Sequence, residues 1–166
     1  MLERILLAVD GSDHARRASD LAGDLAAKYG ARLLIAHVLV YRRLPEPVRR
    51  MAEIEHLVEP ESGRVVPTSY ISLPSEADQD MRIIAALGEK ILNDAEYRVR
   101  EKGAGEVEKV PLEGEPADAL LAEIRRRNVD LAVVGTRGLG ELSALLLGSV
   151  SHKLLQLAPC PVLAVK

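Results

Sequence analysis

Short apolar runs alternate along the chain with longer segments whose apolar positions recur at helical spacing. The short runs are rich in β-branched residues, as buried parallel strands are. The predicted strands are Arg4–Val9, Arg32–Val40, Glu106–Leu112, Asp130–Val134 and Val162–Val165. Strands that alternate with amphipathic helices predict an α/β fold, with a parallel sheet covered by helices on both faces.

The first two predicted helices have clear starts and ends. Ser12 is the predicted cap of the first helix and Gly30 ends it, whereas the second begins after Ser75 and ends at Gly103. The positions predicted to face the core are Ala15, Ala18, Ala22, Leu25 and Tyr29 in the first helix, and Met81, Ile84, Leu87, Ile91, Ala95 and Val99 in the second. A third helix is predicted at about 116–127.

Residues 41–74 interrupt this alternation with a proline-rich, largely loop-like segment. Structureless insertions of this length are uncommon in compact domains and are often functional. The segment leaves the second predicted strand at its carboxyl end, where it could form a lid. A dimer-facing or solvent-exposed flap is the favoured interpretation. We therefore predict a single domain over 1–166 with an insertion at about 41–74.

The amino-acid composition argues against nucleic acid as a binding partner. The chain has 166 residues and a formal net charge of -3, so the basic surface typical of nucleic-acid-binding proteins is not expected. Aromatic residues make up 2%, which leaves few platforms for stacking on bases. The single cysteine, Cys160, excludes an internal disulfide. These features predict no nucleic-acid partner.

The hydropathy of the chain and the start of its sequence indicate where in the cell the protein is expected. No apolar run approaches the roughly 20 residues that a membrane-spanning helix needs. The sequence enters its first predicted strand directly, without the basic and apolar regions of a secretory signal. We therefore expect a cytoplasmic protein with no membrane partner.

The end of the fourth predicted strand carries the clearest chemical signal. Its apolar run stops at Gly135, Gly138 follows, and Gly148 opens the last predicted helix with Ser149 as its cap. Glycines let the backbone turn sharply and approach a ligand closely. The N–H groups and the dipole of the helix N-terminus then favour an anion at the same point. This arrangement predicts phosphate binding, although glycines after a strand also occur simply as turn residues.

This Gly-x2-Gly-x9-Gly-Ser pattern resembles the nucleotide-binding signature of the ATP-binding branch of the universal stress protein family. The segments that share the resemblance are 5–12, 37–38, 114–116, 129–131 and 161–165. The resemblance implies a five-stranded parallel sheet in the order 3-2-1-4-5, of the Rossmann-like kind found in adenine nucleotide alpha hydrolases. In that order the first and fourth strands lie side by side.

The resemblance also implies a site for ATP, with Mg²⁺, at the carboxyl ends of the strands. Its adenine and ribose side corresponds to Ala8, Val9, Asp10 and Val38, its floor to Val134 and Gly135, and its phosphate cradle to Arg137, Gly138, Gly148, Ser149, Val150 and Ser151. The backbone of Val38 would read the adenine edge, and the guanidinium of Arg137 suits bidentate contact with phosphate. Asp10 could instead belong to the cap of the first helix, and Arg137 could be a solvated surface charge.

The implied function is that of a nucleotide-dependent regulatory or stress-response protein. Hydrolysis should be slow at most, because no residue that would activate water is evident. Two alternatives stay open: a nucleotide-independent interaction module, and an enzyme that acts on another phosphate-bearing substrate. The resemblance further implies a homodimer that pairs through residues 162–165, which would otherwise form an uncovered apolar edge.

Overall fold

The computed structural model describes residues 2–41, 44, 50, 76–138 and 148–166. In chain order the elements are β1 (Arg4–Ala8), α1 (Asp13–Tyr29), β2 (Arg32–Leu39), α2 (Glu76–Glu101), β3 (Val107–Glu113), α3 (Pro116–Arg127), β4 (Leu131–Gly135), α4 (Ser149–Leu157) and β5 (Val162–Val165). Most of the predicted insertion at 41–74 lies outside the described residues, so its proposed lid or flap role stays a prediction. No described helix has the length and apolar character needed to cross a bilayer.

The strands form one parallel sheet in the order β3-β2-β1-β4-β5, which confirms the predicted fold class and strand order. Leu6 of β1 pairs with Leu34 of β2 on one side and with Ala132 of β4 on the other. The winding reverses between these two neighbours of β1. In such a sheet the carboxyl ends of adjacent strands separate at this point and leave a crevice.

Two apolar layers cover the sheet. Side chains of β1 and β2 that face α1 and α2 pack with the alanines of α1, while those on the opposite face pack with α3 and α4. The alanine face of α1 allows close packing, and a Cβ at Gly23 would lie 2.9 Å from the Cα of Val99 on α2. Small residues on α1 therefore set the distance between the two helices.

Two positions predicted to face the core are instead exposed. Tyr29 is 53% exposed and Met81 is 50% exposed. Tyr29 is the last residue of α1, where the chain turns away at Gly30 in the left-handed conformation. At the first described turns of α2, Asp80 and Ile83 are buried in place of Met81, and Asp80 Oδ2 accepts a hydrogen bond from Leu44 N–H at 3.1 Å.

Asp130 anchors the start of β1. Its Oδ2 accepts hydrogen bonds from the backbone N–H groups of Glu3 at 2.9 Å and Arg4 at 2.8 Å. These backbone hydrogen bonds hold the pKa of Asp130 below its ordinary value of 3.8. A carboxylate whose pKa is lowered on folding stabilises the folded state above its unfolded pKa and loses this effect as pH falls through the folded pKa.

We predict that Asp130→Ala lowers the free energy of unfolding by about 2 kcal/mol near neutral pH, because two charge-assisted hydrogen bonds are lost. Urea denaturation at a series of pH values measures this. The difference from wild type should shrink as pH falls from the ordinary carboxyl pKa of 3.8 through the lower pKa of the native carboxyl. Asp24→Ala, at an exposed position of α1, is the matched control and should change stability by less than about 0.5 kcal/mol. A pH-independent difference would contradict the role assigned to the carboxylate.

Candidate functional site

A cavity of about 530 Å³ lies at the carboxyl ends of β1, β2 and β4. Its walls combine apolar side chains from both faces of the sheet with backbone from the glycine-containing segments. Every residue predicted to bind the cofactor lines it: Ala8, Val9, Asp10, Val38, Val134, Gly135, Arg137, Gly138, Gly148, Ser149, Val150 and Ser151. The structure thus brings the whole predicted set around one space.

The turn from β1 into α1 forms one corner of the cavity. Gly11 has φ +84°, a conformation that favours glycine, and Asp10 Oδ1 accepts from Ser12 N–H at 3.0 Å. The hydroxyl of Ser12 accepts from Ala15 N–H at 3.2 Å, as predicted for the cap of α1. The same hydroxyl donates to the carbonyl of Arg137 at 3.2 Å. One buried serine therefore both caps α1 and holds the loop that follows β4.

Thr136 connects three parts of the site, a role that the sequence did not reveal. Its N–H donates to the carbonyl of Val165 at 2.7 Å, and its carbonyl accepts from Gly148 N–H at 2.7 Å. Its hydroxyl is 2.8 Å from Nδ1 of His14. The strand β5, the start of α4 and the first turn of α1 are thereby all attached to one residue. Its position inside the glycine motif was the available signal.

The start of α4 differs from the prediction. Gly148, not Ser149, is the N-cap, and Ser149 is the first residue of the helix. No side chain accepts a hydrogen bond from the first turn at the cap position, in contrast to Ser12 on α1 and Glu115 on α3. Since a glycine cap leaves room next to the positive end of the helix dipole, this end of α4 suits an anionic group.

Ser151 lines the cavity, and its hydroxyl is bound to the backbone. The residue is 1% exposed, and its Oγ lies 2.9 Å from the carbonyl oxygen of Gly148 and 3.3 Å from that of Thr136. Its single hydroxyl proton is thus shared between backbone acceptors. The side chain fixes the position of the first turn of α4 relative to β4.

Space, and not backbone conformation, requires glycine at 135, and Gly138 leaves room for the side chain of Asp10. Neither Gly135 nor Gly138 has a positive φ. A Cβ at Gly135 would lie 2.9 Å from the Cβ of His14 and 3.0 Å from Ala15 N, because α1 packs against this point. A Cβ at Gly138 would lie 2.6 Å from Asp10 Oδ2. The predicted glycine turn after β4 therefore does not involve a positive φ at these two positions, and the close approach of a ligand there stays a prediction.

One wall of the cavity was missed in the sequence. The missed lining comes from α2 on one face of the sheet, from the start of α3 on the other, and from residues near the end of β2: Ile84, Leu87, Gly88, Ile91, Pro116, Leu120, Val40 and Leu44, with His37 among them. The apolar stripe of α2 was assigned to the core alone. A glycine within a long helix was the available signal, because Gly88 lacks the Cβ that would clash with Leu39.

Charged groups next to the cavity connect α3 to α4. Lys153 Nζ lies 2.7 Å from Asp118 Oδ1 and 3.5 Å from Glu115 Oε2. The hydrogen bond from Lys153 lowers the pKa of Asp118, and the same bond raises the pKa of Lys153. The described residues contain no group of three or more His, Cys, Asp or Glu side chains placed to hold a metal ion.

The sheet order and the cavity define an α/β protein whose candidate ligand site lies where the strand order reverses. The universal stress protein family model matches residues 1–166, and the chain belongs to this family. It is 36% identical to universal stress protein YxiE of Bacillus subtilis over 166 residues, with 100% of both chains covered. It is also 36% identical over 170 residues, again with full coverage of both, to a universal stress protein of Thermus aquaticus encoded in the QAH/OAS sulfhydrylase 3' region.

Solved structures show the same fold. A universal stress protein crystallised in complex with cAMP is 29% identical, with a TM-score of 0.65 and coverage of 99% of this chain and 97% of that one. The universal stress protein of Archaeoglobus fulgidus in complex with dAMP is 22% identical, with a TM-score of 0.64 and full coverage of both chains. At that identity, the second likeness concerns the fold alone.

We predict that Gly135→Ala destabilises the protein by about 1–3 kcal/mol, because the added methyl group must separate α1 from β4. The free energy of unfolding in urea measures this change. Gly105→Ala provides the matched control, because a Cβ there meets nothing within 4 Å, and its effect should stay within about 0.5 kcal/mol. Equal stability of the two variants would show that α1 does not pack as closely on Gly135 as described.

Proposed function

We propose that the protein binds adenine nucleotides, ATP above all, and that the bound nucleotide regulates its shape or its partner surface in a stress response. The observation that carries this proposal is that all the predicted binding residues line one and the same cavity. The cAMP complex of a 29% identical family member supports a nucleotide of this class as the ligand.

The cavity lining supplies groups that suit each part of a nucleotide. The side-chain-free cap of α4, with Arg137 and the backbone of Gly138, suits phosphate oxygens. Side chains such as Ile84 and Leu120 provide an apolar surface for a base. Asp10 also lines the cavity and is our candidate for the ribose contact.

Mg²⁺ would be held mostly by the phosphates and by water. Among the described residues that line the cavity, Asp10 is the only carboxylate, and its Oδ1 already accepts from Ser12. Hydrolysis in this proposal is slow at most. A carboxylate oxygen held by a backbone N–H is poorly placed to orient an attacking water.

We predict that the apo protein binds ATP with Mg²⁺ with micromolar Kd, on the order of -8 kcal/mol, measured by calorimetric titration. Gly138→Val should weaken binding by at least about tenfold, because its side chain displaces the Asp10 carboxylate and fills the space beside the loop. Gly105→Val is the control, since nothing lies within 4 Å of a Cβ there.

The outcomes separate the alternatives. Absence of binding to well-folded wild-type protein would overturn the proposal and favour a nucleotide-independent interaction module. Turnover of ATP or of another phosphate ester at rates typical of dedicated enzymes, about 1 s⁻¹ or faster, would favour an enzyme.

We also propose that two copies associate through β5. This strand forms the edge of the sheet, and all its residues are partly exposed. The carbonyls of Pro161 and Val165 accept from Ala132 of β4 and from Thr136, the residue that follows β4. Because hydrogen-bonding groups alternate along a strand, the N–H of Ala164 faces outward, where a second copy would pair.

We predict a dimeric mass for the wild type in analytical ultracentrifugation at micromolar concentration. Ala164→Pro should yield a monomer with an unchanged fold, because it removes an outward N–H and leaves the bonds to β4 in place. Ala164→Ser keeps the outward N–H, so it is the matched control and should stay dimeric. A monomeric wild type would contradict the proposal.

A further inference from the structure

The pairing of β1 with β2 ends where the ring of His37 intervenes. The last paired residues are Ala8 and Ala36, and Val9 N–H still donates to the carbonyl of Ala36 at 2.9 Å. The next bond of a regular parallel ladder would join Val38 N–H to the carbonyl of Val9. In this structure Nδ1 of His37 lies 2.8 Å from that carbonyl and takes this place.

The hydrogen bond to Val9 shows which ring nitrogen of His37 carries a hydrogen. A carbonyl oxygen can only accept, so Nδ1 of His37 carries the hydrogen and donates it to Val9. On its other side the ring faces α2, where a Cβ at Gly88 would lie 3.1 Å from the Cδ2 of His37. The half-buried imidazole is thus held between the end of β1 and a glycine of α2.

The same register determines where the peptide groups of Val38 point. Leu33 N–H donates to the carbonyl of Glu106 beside β3, whereas the carbonyl of Ala36 accepts from β1. Hydrogen-bonding groups alternate in this way along a strand, so the N–H and C=O of Val38 are directed toward β1. At this point β1 has stopped pairing, and Val38 lines the cavity.

An N–H and a C=O of one residue form a donor–acceptor pair. The Watson–Crick edge of adenine offers the complementary acceptor, N1, beside the donor of its 6-amino group. Hypoxanthine offers a donor at N1 and an acceptor at O6, which is the reverse. Mismatched buried hydrogen-bonding groups are strongly rejected, because they are left without partners.

We propose that His37 is a positioning residue for base recognition. Its Nδ1–H occupies the Val9 carbonyl, which prevents β1 and β2 from pairing one residue further. The N–H and C=O of Val38 are thereby kept directed at the base. This inference rests on the proposed function, because it concerns the same cavity, and it adds the residue that sets up the preference for adenine.

Substitutions of His37 separate its hydrogen bond from its bulk. His37→Phe keeps a ring but removes the donor, so that Val38 N–H can pair with the Val9 carbonyl. His37→Asn keeps a donor near the position of Nδ1 and is the matched control. His37→Leu replaces His37→Phe if the larger ring prevents folding against Gly88.

The first readout is hydrogen exchange of the Val38 amide, measured by NMR in the apo protein. We expect exchange to slow by at least about tenfold in His37→Phe and to change by less than about threefold in His37→Asn, because a new backbone hydrogen bond forms only in the former. Unchanged exchange in His37→Phe would overturn the proposal. This comparison needs no nucleotide, so it stands apart from the test of the proposed function.

The second readout is calorimetric titration with AMP, IMP and inorganic tripolyphosphate. We expect wild type and His37→Asn to favour AMP over IMP by at least about tenfold, and His37→Phe to favour it by less than about threefold. Tripolyphosphate, which reports only on the phosphate end, should bind all variants alike. An undiminished preference for AMP in His37→Phe would overturn the inference, whereas failure of every nucleotide to bind wild type would overturn the proposed function.

Discussion

The reversal of winding between β1 and β4 is the constraint on which the rest of this structure depends. Parallel strands need crossover helices, and the crossovers on either side of this point lie on opposite faces of the sheet. The loops that follow β1 and β4 therefore leave in different directions and open a cavity between them. The hydrogen bond from Ser12 to the Arg137 carbonyl spans this gap and fixes the two loops relative to each other.

Close packing adds to this constraint through small residues. The alanines of α1 and Gly135 at the end of β4 bring the helix onto the sheet, so that His14 reaches the hydroxyl of Thr136. A side chain at Gly135 would press against His14 and Ala15 at this point. Part of the glycine signature thus serves packing under the site and not contact with a ligand, whereas Gly138 keeps space beside Asp10.

The sequence predicted the fold well because the spacing of apolar residues and the capping residues of helices can be read from short stretches of the chain. Ser12, Gly30 and the bounds of α3 and β5 are where the pattern predicts them. The cap of α4 and the wall formed by α2 were missed for a different reason. Gly148 caps α4 where its N–H donates to the carbonyl of Thr136, a contact across the fold. Ile84 lines the cavity because the carboxyl ends of the neighbouring strands separate there. Such facts arise only from tertiary contacts.

Thr136 gives the candidate site a direct path to the edge of the sheet. Two consecutive backbone hydrogen bonds run from Gly148 at the start of α4, through Thr136, to Val165 in β5. If nucleotide binding and association through β5 both depend on this residue, the two equilibria are thermodynamically linked. Linkage is reciprocal, so a nucleotide that tightens the association by some factor must itself be bound more tightly, by the same factor, in the associated form. The affinity for nucleotide would then depend on the protein concentration, because that concentration sets the fraction of associated protein.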